Sequence, residues 1–325
     1  MITNTEILTF YKKIFLIRST ELRISKEYSD NQIRCPVHLS IGQEAPAAAV
    51  NLFLKKSDFA ISYHRAHAHY LAKDCSLNKM IAEIYGKKSG CSLGIGGSMH
   101  LIDLKKNFLG STAIVSNSIP VGVGYAYSLL YKKQKSRVCI YIGDASCEEG
   151  VFYESLNFAI LKQLPIIFFC ENNKYSVYSN LNVRQPENRK LYKVASSFGI
   201  KSFCLSSAEP IKMLQDLKKI LAKKNNPIFI EIDTYRHFEH CGPNKDDYLN
   251  YRPKSELNYW LKRDPLILTE NFLLKKGIVN LDMIYKIKEE IKKKIDRAFI
   301  FAKKSKPLSY KEYLRLANIS YDKKY

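Results

Sequence analysis

Apolar residues recur at helical spacing near the start of the chain, where Ile7, Phe10, Tyr11, Ile14, Phe15 and Ile17 share one face. From about residue 60 to residue 235 the pattern changes to short apolar runs alternating with segments of mixed polarity. Val138 to Ile142, Pro165 to Cys170 and Pro227 to Thr234 read as strands. Between the first two, Glu148 to Lys162 reads as a helix with an apolar face of Val151, Phe152, Leu156, Ala159, Ile160 and Leu161. A right-handed crossover then sets the two flanking strands parallel in one sheet. Beyond Asp264, helical spacing returns among many charges, first through Leu266, Leu268, Phe272 and Leu273, then through Ile284, Ile287, Ile291 and Ile295. That last stretch suits packing or subunit contact better than chemistry. The fold class is α/β, a mainly parallel sheet flanked by helices with helical N- and C-terminal extensions. One continuous domain is expected, made of a helical segment 1–60, an α/β region 61–264 and a helical segment 265–325.

The strand ends carry the chemistry. Gly143-Asp144-Ala145 follows the first apolar run and Glu171-Asn172-Asn173 follows the second. Asp144 and Asn173 therefore sit at carboxyl ends of strands, where open α/β sheets bind ligands. A carboxylate and an amide oxygen are hard ligands that suit Mg²⁺, which fills its other positions with water and phosphate oxygens. The pattern predicts a metal-bridged diphosphate. The alternative is structural: Asp144 caps the helix and the asparagines make a turn.

Composition narrows the function classes. A hydrophobic share of 46% over 325 residues is ordinary for a globular chain with ample core. No apolar run reaches membrane-spanning length and no signal-peptide pattern opens the sequence. Eight cysteines lack zinc spacing, and Cys139 and Cys170 lie within apolar strands, which points to buried thiols in a reducing compartment, the cytosol. The net charge of +21 raises the question of nucleic acid, but the excess is dispersed lysine with short clusters such as Lys292-Lys293-Lys294 and no recognition motif. Neither nucleic-acid nor membrane binding is expected.

The span from Gly143 to Asn173 resembles the thiamine-diphosphate motif of 2-oxo acid dehydrogenases, in particular the alpha subunit of their decarboxylating component. That family has Gly-Asp-Gly, then roughly thirty residues ending in Asn-Asn. Ala145 departs from its third glycine, at a place where close backbone approach or positive φ favours glycine. By the resemblance, the thiamine-diphosphate-binding fold is expected. Asp144, Asn173 and Tyr175 hold the metal, and Gly143, Asp144, Ala145, Ser146 and Asn173 border the cofactor.

The resemblance runs over nearly the whole chain. His38 to Ala45 (His-Leu-Ser-Ile-Gly-Gln-Glu-Ala) is similar to a family segment that puts His38 in the active-site funnel, with Gln43 and Glu44 opening a helix. His64-Arg65-Ala66-His67 is similar to the family's Tyr-Arg-Ala-His, in which tyrosine and arginine touch the diphosphate; His64 here replaces the tyrosine. His64, His67 and His69 lack an acidic or cysteine partner at zinc spacing. Gly90-Cys91 through Gly94 to His100 resembles the glycine-rich segment before the cofactor loop. Gly110 to Gly124 looks like a loop feeding a buried helix. The resemblance sets the backbone of Ala113 and Val115 against the aminopyrimidine, while the bare pattern makes Ile114 and Val115 core residues. Tyr235 to Cys241 is similar to the family's Tyr-Arg-x-His-x-His-Ser loop, in which Arg236 matches a diphosphate arginine and His240 orders the active-site wall. Phe238 stands where the first loop histidine would be, and Cys241 replaces a serine phosphorylated in some members, so that regulation is not expected.

The implied activity is decarboxylation of a pyruvate-like 2-oxo acid, or cleavage of acetoin, with transfer of the acyl group to a lipoyl-bearing acyltransferase. His38 and His240 are the catalytic candidates, since imidazoles titrate near neutral pH. No counterpart of the cofactor-activating glutamate is found here, so a beta subunit is expected to supply it, in an α2β2 assembly. A related carboligase or non-oxidative decarboxylase, or a non-catalytic scaffold of the same fold, is the alternative.

Overall fold

The computed structural model describes residues 1–223 and 227–322. Its main sheet has six parallel strands, β1 (Phe59–Ser62), β2 (Phe108–Ser111), β3 (Val138–Gly143), β4 (Ile166–Asn172), β7 (Lys201–Ser206) and β8 (Ile228–Asp233), in the order β2-β1-β3-β4-β8-β7. A small antiparallel pair, β5 (Tyr175–Ser176) and β6 (Ser179–Asn180), follows β4. After β1 the chain forms β2 on one side and returns to form β3 on the other. The crevice outside the carboxyl ends of β1 and β3 is therefore a topological switch point, the ligand-binding place of open α/β sheets.

The continuous apolar runs follow from burial on both sheet faces. Val138, Ile140 and Ile142 face one hydrophobic cluster with Ile166, Phe168 and Phe229. Cys139 and Tyr141 alternate onto the other face, into a cluster that holds Ile167, Phe169 and Ile230. That second cluster also takes in Phe10, Ile14 and Ile17 of α1 (Asn4–Glu27) and Ile295, Ala298 and Phe299 of a long C-terminal helix, Leu281–Lys304. Both helical ends of the chain thus pack onto the core of the sheet.

The helix after β3 is narrower in its buried face than its sequence predicts. A 3-10 turn occupies Asp144–Glu148, and the helix proper runs Gly150–Leu161, burying Phe152, Leu156 and Ala159 while Leu161 stays exposed. The helix Ser118–Tyr131 is not the buried one that its apolar sequence predicts. It buries Ile119, Gly122, Val123, Ala126 and Leu129 but presents Val121, Tyr127, Leu130 and Tyr131 to the outside. Ile114 and Val115, in the loop before it, are 67% and 47% exposed and so are not core residues. All eight cysteines are free, with Cys139 and Cys170 buried. No described helix is long and apolar enough to cross a membrane.

Candidate active site

The register of β3 on β4 pairs Gly143 with Glu171, so Asp144 and Asn173 emerge at neighbouring strand ends. Asp144 is buried and does not cap a helix: the turn that it opens has no side-chain cap. Its carboxylate instead faces the Arg184 guanidinium, which also reaches Glu148. Burial pushes the Asp144 carboxyl above the usual carboxylate range, with Arg184 pulling in the opposite direction. Ala145 is not among the residues with positive φ, so the exchange from glycine carries no backbone strain. Ser146 is buried, and its carbonyl accepts from the Ser116 hydroxyl at 3.1 Å.

The asparagines do make a turn. Asn172 Oδ1 accepts from the Lys174 amide and Asn173 Oδ1 from the Tyr175 amide, each at 3.0 Å. Asn173 Nδ2 donates to Gln43 Oε1 at 3.0 Å. The Tyr175 phenol donates to Glu256 at 2.7 Å, which leaves the main-chain carbonyl as this residue's oxygen for a metal. Gln43 sits directly before the helix Glu44–Phe53, at the end of a loop that Gly42 holds against the segment after β8. At Gly42 φ is +94°, and a Cβ would lie 2.5 Å from the Tyr235 carbonyl oxygen, so only glycine fits.

Three imidazoles converge beside this crevice. The ring centroids of His38 and His64 lie 4.6 Å apart, those of His38 and His240 5.2 Å, and those of His64 and His240 5.4 Å. Arg65 pins the loops that carry them, donating to the carbonyls of Leu39 at 2.6 Å and His240 at 3.1 Å. Arg236 is likewise committed inward, to the carbonyls of Phe238 and Val177 and to Tyr251, while its Nε has no partner among the described residues. Phe238 is buried and joins the core. His67 and His69 diverge from His64: His67 lies between Glu21 and Ser98, and His69 bonds Ser62 and stacks on Tyr141 at 3.8 Å. Ala113 and Val115 lie in the loop entering the helix Ser118–Tyr131, with Val115 exposed.

Burial, reinforced by the Arg65 charge, lowers His38 to about 2 and His64 and His240 to about 3. All three are neutral near pH 7. Unfolded, they would take protons near the ordinary imidazole value of 6.5, so protons favour the unfolded chain between these limits. Their contribution to stability is complete above about pH 6.5 and is lost as pH falls towards 3. Urea unfolding at a series of pH values should show that slope, smaller in His64→Tyr; a flat profile would contradict neutral, desolvated imidazoles.

Three residues at the site have contacts that the sequence pattern does not indicate. The sequence marks Gln43 only as part of a helix start. Glu171, buried and accepting from the Tyr63 hydroxyl at 2.6 Å, stands directly before the two asparagines. Arg184 lies in a polar stretch with no periodicity or motif to mark it.

Residues 12–311 match the dehydrogenase E1 component family. The chain belongs to that family. The pyruvate dehydrogenase E1 component subunit alpha of Rickettsia felis is 32% identical over 306 residues, covering 93% of each chain. Its namesake from Porphyra purpurea is 30% identical over 314 residues, 94% of this chain and 90% of the relative. The mitochondrial alpha-1 subunit of Oryza sativa subsp. japonica is 32% identical over 307 residues, 93% of this chain and 77% of the relative. E1 components are thiamine-diphosphate-dependent decarboxylating oxidoreductases that act on an oxo group, and the six-stranded parallel sheet is in keeping with their cofactor-binding fold.

Proposed function

We propose that this chain supplies the Mg²⁺-diphosphate half of an E1 active site acting on a pyruvate-like 2-oxo acid or on acetoin. The observation that carries this reading is the pair Asp144 and Asn173, side by side at the carboxyl ends of β3 and β4. The residues fit the group. The donor set is hard oxygen, suited to Mg²⁺. A Cβ at Gly143 would meet nothing within 4 Å, leaving space at the strand end for a ligand. Buried donors without a partner among the described residues, Gln43 Nε2 and Arg236 Nε, await an acceptor.

Asp144, Asn173 and the Tyr175 carbonyl would hold the metal, with Gly143, Ala145 and Ser146 lining the diphosphate. Arg65 contributes positive field, and both Arg65 and Arg236 contribute rigidity, since their guanidiniums grip main-chain carbonyls, with Arg236 also paired to Asp246 at 3.4 Å. His64 would contact the diphosphate, and the backbone of Ala113 and Val115 would hold the aminopyrimidine. When bound, thiamine diphosphate supplies the electron sink that lets a 2-oxo acid lose CO₂. His38 and His240, neutral and close together, would orient the substrate through hydrogen bonds, for which His38 Nδ1 is buried without a partner among the described residues. Lowered to about 2 and about 3, their imidazoles are too weakly basic to take up a proton near neutral pH.

A beta subunit would supply the activating glutamate and complete an α2β2 assembly that delivers the acyl group to a lipoyl-bearing acyltransferase. The unpartnered apolar side of Ser118–Tyr131, beside the site, supports such a neighbour. The eight free thiols are in keeping with a reducing compartment such as the cytosol. The test is calorimetric titration of thiamine diphosphate with Mg²⁺ into the chain alone and into the chain co-expressed with a beta-type subunit. Binding confined to the paired form is the expected result. No heat of binding in either preparation would overturn the reading.

A further inference from the structure

We propose that Gln43 is a positioning residue that fixes the side-chain amide of Asn173 with its oxygen available to the metal, an inference that rests on the function proposed above. The amide of Asn173 has two orientations, and only one presents Oδ1 to a cation. The Tyr175 backbone N–H donates to Oδ1 at 3.0 Å, and a backbone donor cannot turn into an acceptor. Nδ2 must then find an acceptor, and Gln43 Oε1 provides it at 3.0 Å. Both partners are buried, Gln43 at 1% and Asn173 at 9% exposure, so water cannot take over the role freely. The fixed Tyr175 N–H therefore sets the orientation of both amides.

Gln43 is itself held. Its backbone N–H donates to the Ser40 carbonyl at 2.7 Å, and the adjacent Glu44 carboxylate accepts from the Gly42 amide at 3.1 Å and pairs with Arg18. The loop from His38 to Glu44 therefore carries an imidazole of the site at one end and the orienting amide at the other. With Oε1 committed to Asn173, Gln43 Nε2 is left buried with no partner among the described residues. It is the donor available to a ligand oxygen on the same side of the loop. Residues that orient metal ligands typically cost about 10- to 100-fold in metal affinity when removed.

The test uses the chain assembled with its beta-type partner and Mn²⁺ as the probe for Mg²⁺, with free Mn²⁺ followed by electron paramagnetic resonance in the presence of thiamine diphosphate. Gln43→Met keeps the side-chain length and deletes the acceptor; it should weaken Mn²⁺ binding about 10- to 100-fold. Asn173→Asp has no amide to orient, so adding Gln43→Met to it should cost less than about threefold. Unfolding of each variant without cofactor separates a folding defect from a metal defect. Gln43→Met at unsubstituted affinity, or an equal loss in the Asn173→Asp background, would each overturn the positioning role. If the unsubstituted assembly takes up no Mn²⁺ with the cofactor, the metal site itself is overturned, and the role of Gln43 with it.

Discussion

Asp144→Asn is expected to abolish Mg²⁺-dependent cofactor binding and lower turnover of the assembled enzyme by more than about a hundredfold, without lowering the melting temperature of the cofactor-free chain. The functional half follows from charge. An amide at this position still offers one oxygen, but the proposed ligand set of Asp144, Asn173 and the Tyr175 carbonyl loses its carboxylate charge toward a dication, and losses beyond the 10- to 100-fold typical of residues that only orient a ligand follow. The stability half follows from burial. Asp144 has a carboxyl pKa raised above its usual value, because desolvation outweighs the attraction of Arg184. A carboxyl whose folded pKa is raised binds protons preferentially in the folded chain. Its contribution is therefore present below the unfolded pKa and lost as pH rises through the folded one. Near neutrality the ionised group is a net cost of folding, and the neutral asparagine removes that cost. Arg184 keeps Glu148 as an ionic partner. The measurement pairs thermal unfolding of the free chain with cofactor titration of the assembly. Binding retained within about tenfold would move the metal away from Asp144, whereas loss of binding together with a large fall in melting temperature would make Asp144 a folding residue.

The contrast between what was legible and what was not has a physical pattern. β3, β4 and β8 could be read within one or two residues because strands buried on both faces are continuous apolar runs with few alternatives. β7, at the sheet edge and only partly buried, has no such run to mark it in the sequence. Asp144 and Asn173 were legible because they follow immediately on two such strands. The inward commitment of Arg65 and Arg236 was not legible, since a guanidinium suits phosphate and backbone carbonyl equally well and composition does not choose. Nor was the identity of the converging histidines. The local cluster His64, His67 and His69 catches the eye, but α3 (His67–Ala72) turns two of its rings toward Glu21 and Tyr141. The rings that meet His64 come from segments far along the chain. Convergence of that kind is a property of strand order, which spacing along one chain does not encode.

Glu83→Gln is expected to destabilise the chain by about 3–5 kcal/mol and to open the segment from Gly90 to Gly97. Glu83 lies near the end of α4 (Leu77–Ile84) and is fully buried, without any basic side chain bonded to it. Its charge is met by four backbone donors: Oε2 accepts from Ser92 at 2.7 Å and Gly94 at 2.9 Å, and Oε1 from Gly96 at 2.7 Å and Gly97 at 3.1 Å. Each oxygen thus takes two N–H bonds, an anion enclosed in a backbone nest. The glycines follow from this wrapping. A Cβ at Gly90 would lie 2.3 Å from Glu83 Oε2, and Gly94 and Gly97 adopt φ of +83° and +57°. The glycine-rich sequence is therefore the imprint of a buried carboxylate on the loop around it, and no contact with a phosphate is needed to account for it. An amide at Glu83 turns one acceptor into a donor facing two donors, leaving two backbone N–H groups unpaired as well as crowded. The consequence extends to the site, because Ser98, next after the nest, bonds His67, and His67 follows directly on Arg65 and Ala66. Urea unfolding should show the loss, and amide exchange should localise it to Ser92, Gly94, Gly96 and Gly97. Slow exchange at those four amides in Glu83→Gln, with stability within about 1 kcal/mol of the unsubstituted chain, would mean that the loop is held by its own turns and that the carboxylate is incidental.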